Sequence, residues 1–135
     1  MSTTSVVIAL GSNRGDRRLN LLRAIEKLKR VVTLVRISSI YETEPVGAPH
    51  GSPDFLNMAV SGHTSLPAEA LLDRLLEIEK DLGRRRPDVR NAPRVIDLDL
   101  ILYGAYLVRT RKMTLTHPRY REREFVLAPM REIGF

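Results

Sequence analysis

The chain has 135 residues, 43% of them hydrophobic, with 22 Lys and Arg against 16 Asp and Glu (formal charge +6) and no cysteine. This length fits a single domain over 1–135 with one core, and the lack of cysteine excludes disulfides and thiolate metal sites. The longest apolar runs, such as Val6–Leu10 and Leu100–Tyr103, are too short to cross a membrane, and the first residues lack the pattern of a signal peptide, so a cytoplasmic protein is expected.

Val6–Leu10 is a nearly continuous apolar run stopped by Gly11-Ser12-Asn13, which predicts a buried strand and a turn. Asp16 can cap the helix that follows. There Leu19, Leu22, Ile25 and Leu28 recur every three residues, with Leu21 and Ala24 beside them. Val35–Tyr41 is rich in β-branched and aromatic residues. Phe55–Ser61 alternates, with Leu56, Met58 and Val60 on one face and Phe55, Asn57 and Ala59 on the other. Between these strands, Glu44–Pro53 is a loop by its Pro and Gly content, and its length favours a ligand contact.

A second helix is predicted from Pro67 to a terminating Gly83, with Leu71, Leu75, Ile78 and Leu82 as its apolar stripe. Glu79 falls inside that stripe. A carboxylate there needs a cation or donors, so it forms an ion pair with a loop arginine, lies at an edge exposed to water, or hydrogen-bonds a ligand. Arg84 to Arg94 has no hydrophobic period and reads as a loop dense in arginine. Val95–Tyr103 is the next strand, followed by a hairpin around Leu107–Leu115 and a short helix near Arg123–Met130. The order strand, helix, strand, strand, helix, strand is that of an α+β ferredoxin-like domain, an antiparallel sheet with both helices on one face and the other face left for a ligand.

The strand Val95–Tyr103 carries the chemistry. Ile96, Leu98, Leu100 and Leu102 are expected on the helix-covered face and Asp97 and Asp99 on the other. Two residues along a strand span roughly 6.5–7 Å, so both carboxylates can reach one cluster of hard cations, magnesium being the natural choice beside phosphate. Arginine forks in the adjoining loop recognise phosphate and can stabilise charge in phosphoryl transfer. No Walker-type glycine loop is present, so side chains and metal must hold any nucleotide. His117, with Arg123 and Phe125 downstream, is a third candidate group. The basic charge and strand order also allow an RNA-binding module, but two carboxylates on the open face would repel its phosphates.

Several motifs together resemble the 6-hydroxymethyl-7,8-dihydropterin pyrophosphokinase family. They are Gly11-Ser12-Asn13; Tyr41, Thr43 and Pro45; Asp54-Phe55-Leu56-Asn57; Glu79 with Leu82-Gly83-Arg84 and Arg86; Pro93-Arg94 with Ile96-Asp97-Leu98-Asp99; and His117-Pro118 with Arg123 and Phe125. The resemblance covers nearly the whole chain and rests on order and spacing. It implies a ferredoxin-like fold and transfer of pyrophosphate from ATP to the pterin's hydroxymethyl oxygen, releasing AMP, in folate biosynthesis. By it, Asp97 and Asp99 bind two magnesium ions, and Arg84 and Arg94 act on the transferring phosphates. Glu79, Arg86, Lys112, Thr114, His117 and Arg123 meet the nucleotide. Phe55 and Phe125 sandwich the pterin, while Thr43, Val46 and Asn57 read its edge. The partners it implies are the two small substrates, with no nucleic acid or membrane, for a monomer. The sequence departs from the family pattern at Asn91, where Trp is common, Ala92, where Gly is frequent, and Leu76, where Gln is frequent.

Overall fold

The structure, a computed structural model, describes residues 2–44, 51, 53–84, 94–107 and 124–135, the side chains of 107 and 124–126 excepted. Its elements in chain order are β1 (Thr4–Ser12), α1 (Arg17–Leu28), β2 (Thr33–Ile37), β3 (Tyr41–Thr43), β4 (Phe55–Thr64), α2 (Ala68–Asp81), β5 (Asp97–Tyr103), β6 (Tyr106–Leu107) and α3 (Glu124–Glu132). The sheet runs β2-β4-β1-β5-β6, with β3 also paired to β4, and every pairing is antiparallel. With β2, β4 and β5 as the second, third and fourth core strands, this is the ferredoxin-like arrangement expected from the element order.

Alternation along β1 and β4 divides the apolar residues between two layers. Val6, Ile8 and Leu10 join Leu56, Met58 and Val60 and the buried faces of α1 and α2 in the main core. Val7 and Ala59 turn to the opposite face and pack with Ile101, Met130 and Ile133. The last two lie on or just after α3. That face is therefore not left open along its length: α3 covers part of it, and the end of the sheet near the start of β5 lies beyond the α3 cluster.

Three local expectations are corrected. The buried stripe of α1 is Leu21, Ala24, Ile25 and Leu28, whereas Leu19 and Leu22 are exposed at 39% and 52%. A strict three-residue step lags a 3.6-residue helix and drifts off the core face, while the spacing of three, four and seven stays on it. On β5 the register shifts where Val7 meets Leu102 and Ile8 meets Leu100, leaving Ile101 as the extra residue of a bulge. Leu102 therefore packs with the α3 cluster, and Tyr103 returns to the main core. The strand expected over Val35–Tyr41 is broken at Ser38, whose hydroxyl accepts from Ala59 N at 2.9 Å while its own N–H donates to Ala59 O at 2.9 Å. β2 and β3 are the result.

Other expectations match. Asp16 caps α1 through a bond from Leu19 N at 3.1 Å. α2 ends in a Schellman motif: Gly83 N donates to Lys80 O and Arg84 N to Glu79 O, both at 3.0 Å, with Gly83 at φ +104°, where only glycine is unstrained. β6 closes a tight hairpin with β5. The hairpin expected around Leu107–Leu115 is a different one, and beyond the backbone of residue 107 it lies outside the described residues.

Candidate functional site

The α2 terminus delivers Arg84 directly onto the start of β5. The Schellman turn fixes its backbone, and the side chain, only 5% exposed, points inward. Its Nη1 donates to Glu79 Oε2 at 2.9 Å, Asp97 Oδ1 at 2.6 Å and the Ile96 carbonyl at 3.2 Å. Glu79 itself is buried (side chain 3% exposed) and also accepts from Leu98 N at 2.8 Å, an edge amide beyond the reach of the short β6. Of the readings open for Glu79, the structure contains the ion pair with Arg84 and not the exposed edge. Its carboxylate faces Arg84 and the Leu98 amide of β5.

Arg94 approaches Asp97 from the other side, with Nη1 3.2 Å from Oδ2. Among the described residues its buried Nε has no hydrogen-bond partner, and buried polar groups are normally paired. The backbone of Arg94 is held by Asn13, which is 1% exposed: Asn13 N donates to Arg94 O at 3.0 Å, and Arg94 N donates to Asn13 Oδ1 at 2.7 Å. The Asn13 amide nitrogen also donates to Pro53 O at 3.2 Å. One buried amide thus joins the flanks of the arginine-rich loop and the Pro- and Gly-rich loop.

Asp97 and Asp99 share the face opposite α1 and α2, as alternation requires. Asp99 lies beside Ala9, which is paired in turn with Ala59 at the margin of the apolar cluster under α3. Burial there, then the negative charges of Asp97 and Glu79, push its carboxyl well above the usual carboxylate range, against the lowering influence of Arg84 and Arg94. The donor set suits a magnesium–phosphate unit: two hard carboxylates with room for phosphate oxygens, and two guanidiniums beside them. Among the described residues no group of three or more His, Cys, Asp or Glu could form an all-protein metal cage.

A neutral cluster lies across the sheet. Asp97 is opposite Gly11, Gly11 opposite Asn57, and Asn57 opposite Tyr41, so the four form one row. At about 4.8 Å per strand, Asp97 and Asn57 are roughly 10 Å apart at the backbone. Gly11 leaves the space between them to the Phe55 ring: a Cβ there would sit 3.3 Å from Phe55 Cδ1 and 3.1 Å from Asn57 Oδ1. Asn57, 6% exposed, donates through its amide to Thr43 Oγ1 at 2.6 Å.

The structure therefore brings together Arg84, Arg94, Asp97 and Asp99 over Glu79, and sets Thr43, Phe55 and Asn57 beside them. Val46, Arg86, Lys112, Thr114, His117 and Arg123 lie outside the described residues, and of Phe125 only the backbone, in α3, is described. Asn13 was read from sequence as part of a turn and of the Gly11-Ser12-Asn13 motif, with no site role assigned to it.

The model of the family described as 7,8-dihydro-6-hydroxymethylpterin-pyrophosphokinase (HPPK) matches residues 7–134. The 2-amino-4-hydroxy-6-hydroxymethyldihydropteridine pyrophosphokinase of Bacillus subtilis (strain 168) is 48% identical, over 93% of this chain and 75% of that protein. The protein of the same name from Aquifex aeolicus is 36% identical, over 96% and 79%. A folate synthesis bifunctional protein of Arabidopsis thaliana is 44% identical over 93% of this chain, which spans only 26% of it. Among solved structures, an HPPK-DHPS in complex with substrates matches with a TM-score of 0.56 at 16% identity, covering 79% of this chain and 29% of that one. This last likeness concerns the fold.

Proposed function

Because the chain belongs to the 7,8-dihydro-6-hydroxymethylpterin-pyrophosphokinase family, we propose that the family's reaction takes place where β1 and β5 meet the arginine-rich loop. The protein is a pyrophosphokinase of folate biosynthesis, a transferase acting on a small-molecule substrate. In the finer reading, the donor is ATP and the acceptor the hydroxymethyl group of the dihydropterin. The acceptor oxygen attacks the β-phosphorus, the bond from that phosphorus to the α,β-bridging oxygen breaks, AMP departs, and the hydroxyl proton passes to solvent.

The arrangement carrying this reading is a pair of adjacent carboxylates between two guanidiniums, one sheet row from a neutral amide, hydroxyl and ring. Asp97 and Asp99 are suited to hold two magnesium ions, which when bound supply positive charge and alignment to the triphosphate. The Arg84 and Arg94 side chains, engaged on Asp97 without ligands, are close enough to exchange that partner for phosphate oxygens. Charge developing on the transferred unit would then meet two guanidinium donors already held at the start of β5. Asn57 and Thr43 offer both donors and acceptors to the edge of a flat heterocycle, and Phe55 offers it a face. Such transfer makes little demand for a strong general base; positioning and electrostatics suffice.

Incubation with ATP, magnesium and 6-hydroxymethyl-7,8-dihydropterin should yield AMP without ADP, and only when the pterin is present. ADP as the product, or AMP formation indifferent to the pterin, would sink the reading. Omitting magnesium should abolish turnover. We further propose a cytoplasmic monomer that binds neither nucleic acid nor membrane. No described helix is long and apolar enough to cross a bilayer. A single species of about 15 kDa in sedimentation is the expected result.

A further inference from the structure

We infer that Glu132 is a positioning residue for the pterin side of the site, holding β3 against the last turn of α3 so that Thr43 and Asn57 keep their registry. The inference rests on the function proposed above. Glu132 receives Ser39 N at 3.1 Å and 2.9 Å on its two oxygens, Ser39 Oγ at 3.0 Å, and the Tyr41 hydroxyl at 2.6 Å. Two residues at the joint between β2 and β3 are thus tied to one carboxylate 91 to 93 positions later in the chain.

β3 needs such a tie. It has three residues and pairs with β4 alone, so few ladder bonds determine where it lies. Tyr41 stands directly opposite Asn57, and Thr43, two residues on and on the same face, accepts the Asn57 amide proton. A shift of β3 therefore moves Thr43 relative to Asn57, and the hydrogen bond between them transmits the error to the amide. At its other end the clasp has a firm anchor. Met130 and Ile133, on either side of Glu132, are buried at 6% and 3% exposure against Val7, Ala59 and Ile101. The backbone of Phe125 belongs to this same helix, seven residues before Glu132, or about 10 Å along its axis. One carboxylate thereby links the helix carrying Phe125 to the strand carrying Thr43. The Tyr41 hydroxyl and the Ser39 amide hold the Glu132 carboxyl below the usual carboxylate range, and the same bond raises the Tyr41 phenol.

A staple that merely fastens α3 would affect stability and every kinetic constant alike. A positioning role predicts a split. Glu132→Gln and Tyr41→Phe should each raise KM for the pterin about three- to tenfold, with kcat and KM for ATP changed less than about twofold. Because the Tyr41 bond is one of the set that Glu132→Gln weakens, the double variant should do little more than Glu132→Gln alone. Ile133→Val supplies the control, lowering Tm through the α3 core without moving the pterin KM. In parallel, hydrogen exchange at the β3 amides that bond to β4 should quicken in Glu132→Gln and stay unchanged in Ile133→Val. An unchanged pterin KM with a lowered Tm, or equal losses for both substrates, overturns the positioning role. Unchanged exchange at β3 overturns the clasp itself. If the wild-type protein made no pterin-dependent product, the proposed function would fall, whereas the exchange result would still decide whether Glu132 holds β3.

Discussion

At the start of β5, Asp97 and Asp99 share one face with Arg84 and Arg94 closing on Asp97, while two strands away Asn57, Thr43 and Phe55 satisfy one another with no formal charge. In the charged half, among the described residues, the buried Arg94 Nε has no hydrogen-bond partner, and burial and two neighbouring carboxylates raise the Asp99 pKa. In the neutral half the Asn57 amide already donates to Thr43 Oγ1. The difference indicates where ligand binding supplies missing partners and where it substitutes for existing ones. A site for a highly charged triphosphate is built under electrostatic tension, whereas a slot for a neutral heterocycle can be preorganised at little cost.

Substitution tests this contrast, beginning with the largest effect. Asp97→Ala or Asp99→Ala should lower kcat by roughly a thousandfold or more with the fold retained, as circular dichroism would check. Near-wild-type turnover with magnesium would remove the metal assignment. Arg84→Ala should cut kcat by about a hundredfold and weaken ATP binding far less. It should also cost about 3–5 kcal/mol of stability in denaturant unfolding, because Glu79 is left buried without this cation. If stability were unchanged, the Glu79–Arg84 pair would not be structural. Asn57→Ala, on the neutral side, should raise KM for the pterin by about tenfold and leave kcat nearly intact.

The smallest effect has the opposite sign. Asp99 has a folded-state pKa raised above the ordinary value of 3.8, so its favourable contribution is complete below that value and is lost as pH rises through the folded pKa. In the ligand-free protein, Asp99→Asn should therefore gain stability over the wild type at neutral pH and show no gain below about pH 4. A rise in Tm of roughly 3–6 °C at pH 7, about that of 1 kcal/mol in a domain of this size, is expected even as activity disappears. A fall in Tm would show that Asp99 is not under tension.

Much of the scaffold was legible in sequence because local rules govern it. Alternation placed Asp97 and Asp99 opposite Leu98 and Leu100 and placed Asn57 opposite Leu56 and Met58, and both assignments agree with the burial pattern. The cap at Asp16 and the stop at Gly83 follow from bonds made within a single turn. Periodicity misled where a local irregularity intervened. The Ile101 bulge turned Leu102 to the other face, Ser38 broke a strand in two, and a three-residue repeat moved the α1 stripe onto Leu19 and Leu22. Glu79 was visible as a misfit, but its partner was not identifiable from spacing alone.

The sequence by itself determined the order of the elements, which residues share a face of each strand, and therefore that two carboxylates would stand together opposite the main core. Those properties depend on neighbours two to four positions apart, where backbone geometry alone sets direction. Tertiary structure decided what the carboxylates meet. Asn13 holds Arg94 from 81 positions away, Glu132 reaches Ser39 across 93, and α3 closes a face expected to be open. No local period encodes such contacts, because they arise only when the packed sheet brings distant polar groups to places where water no longer satisfies them.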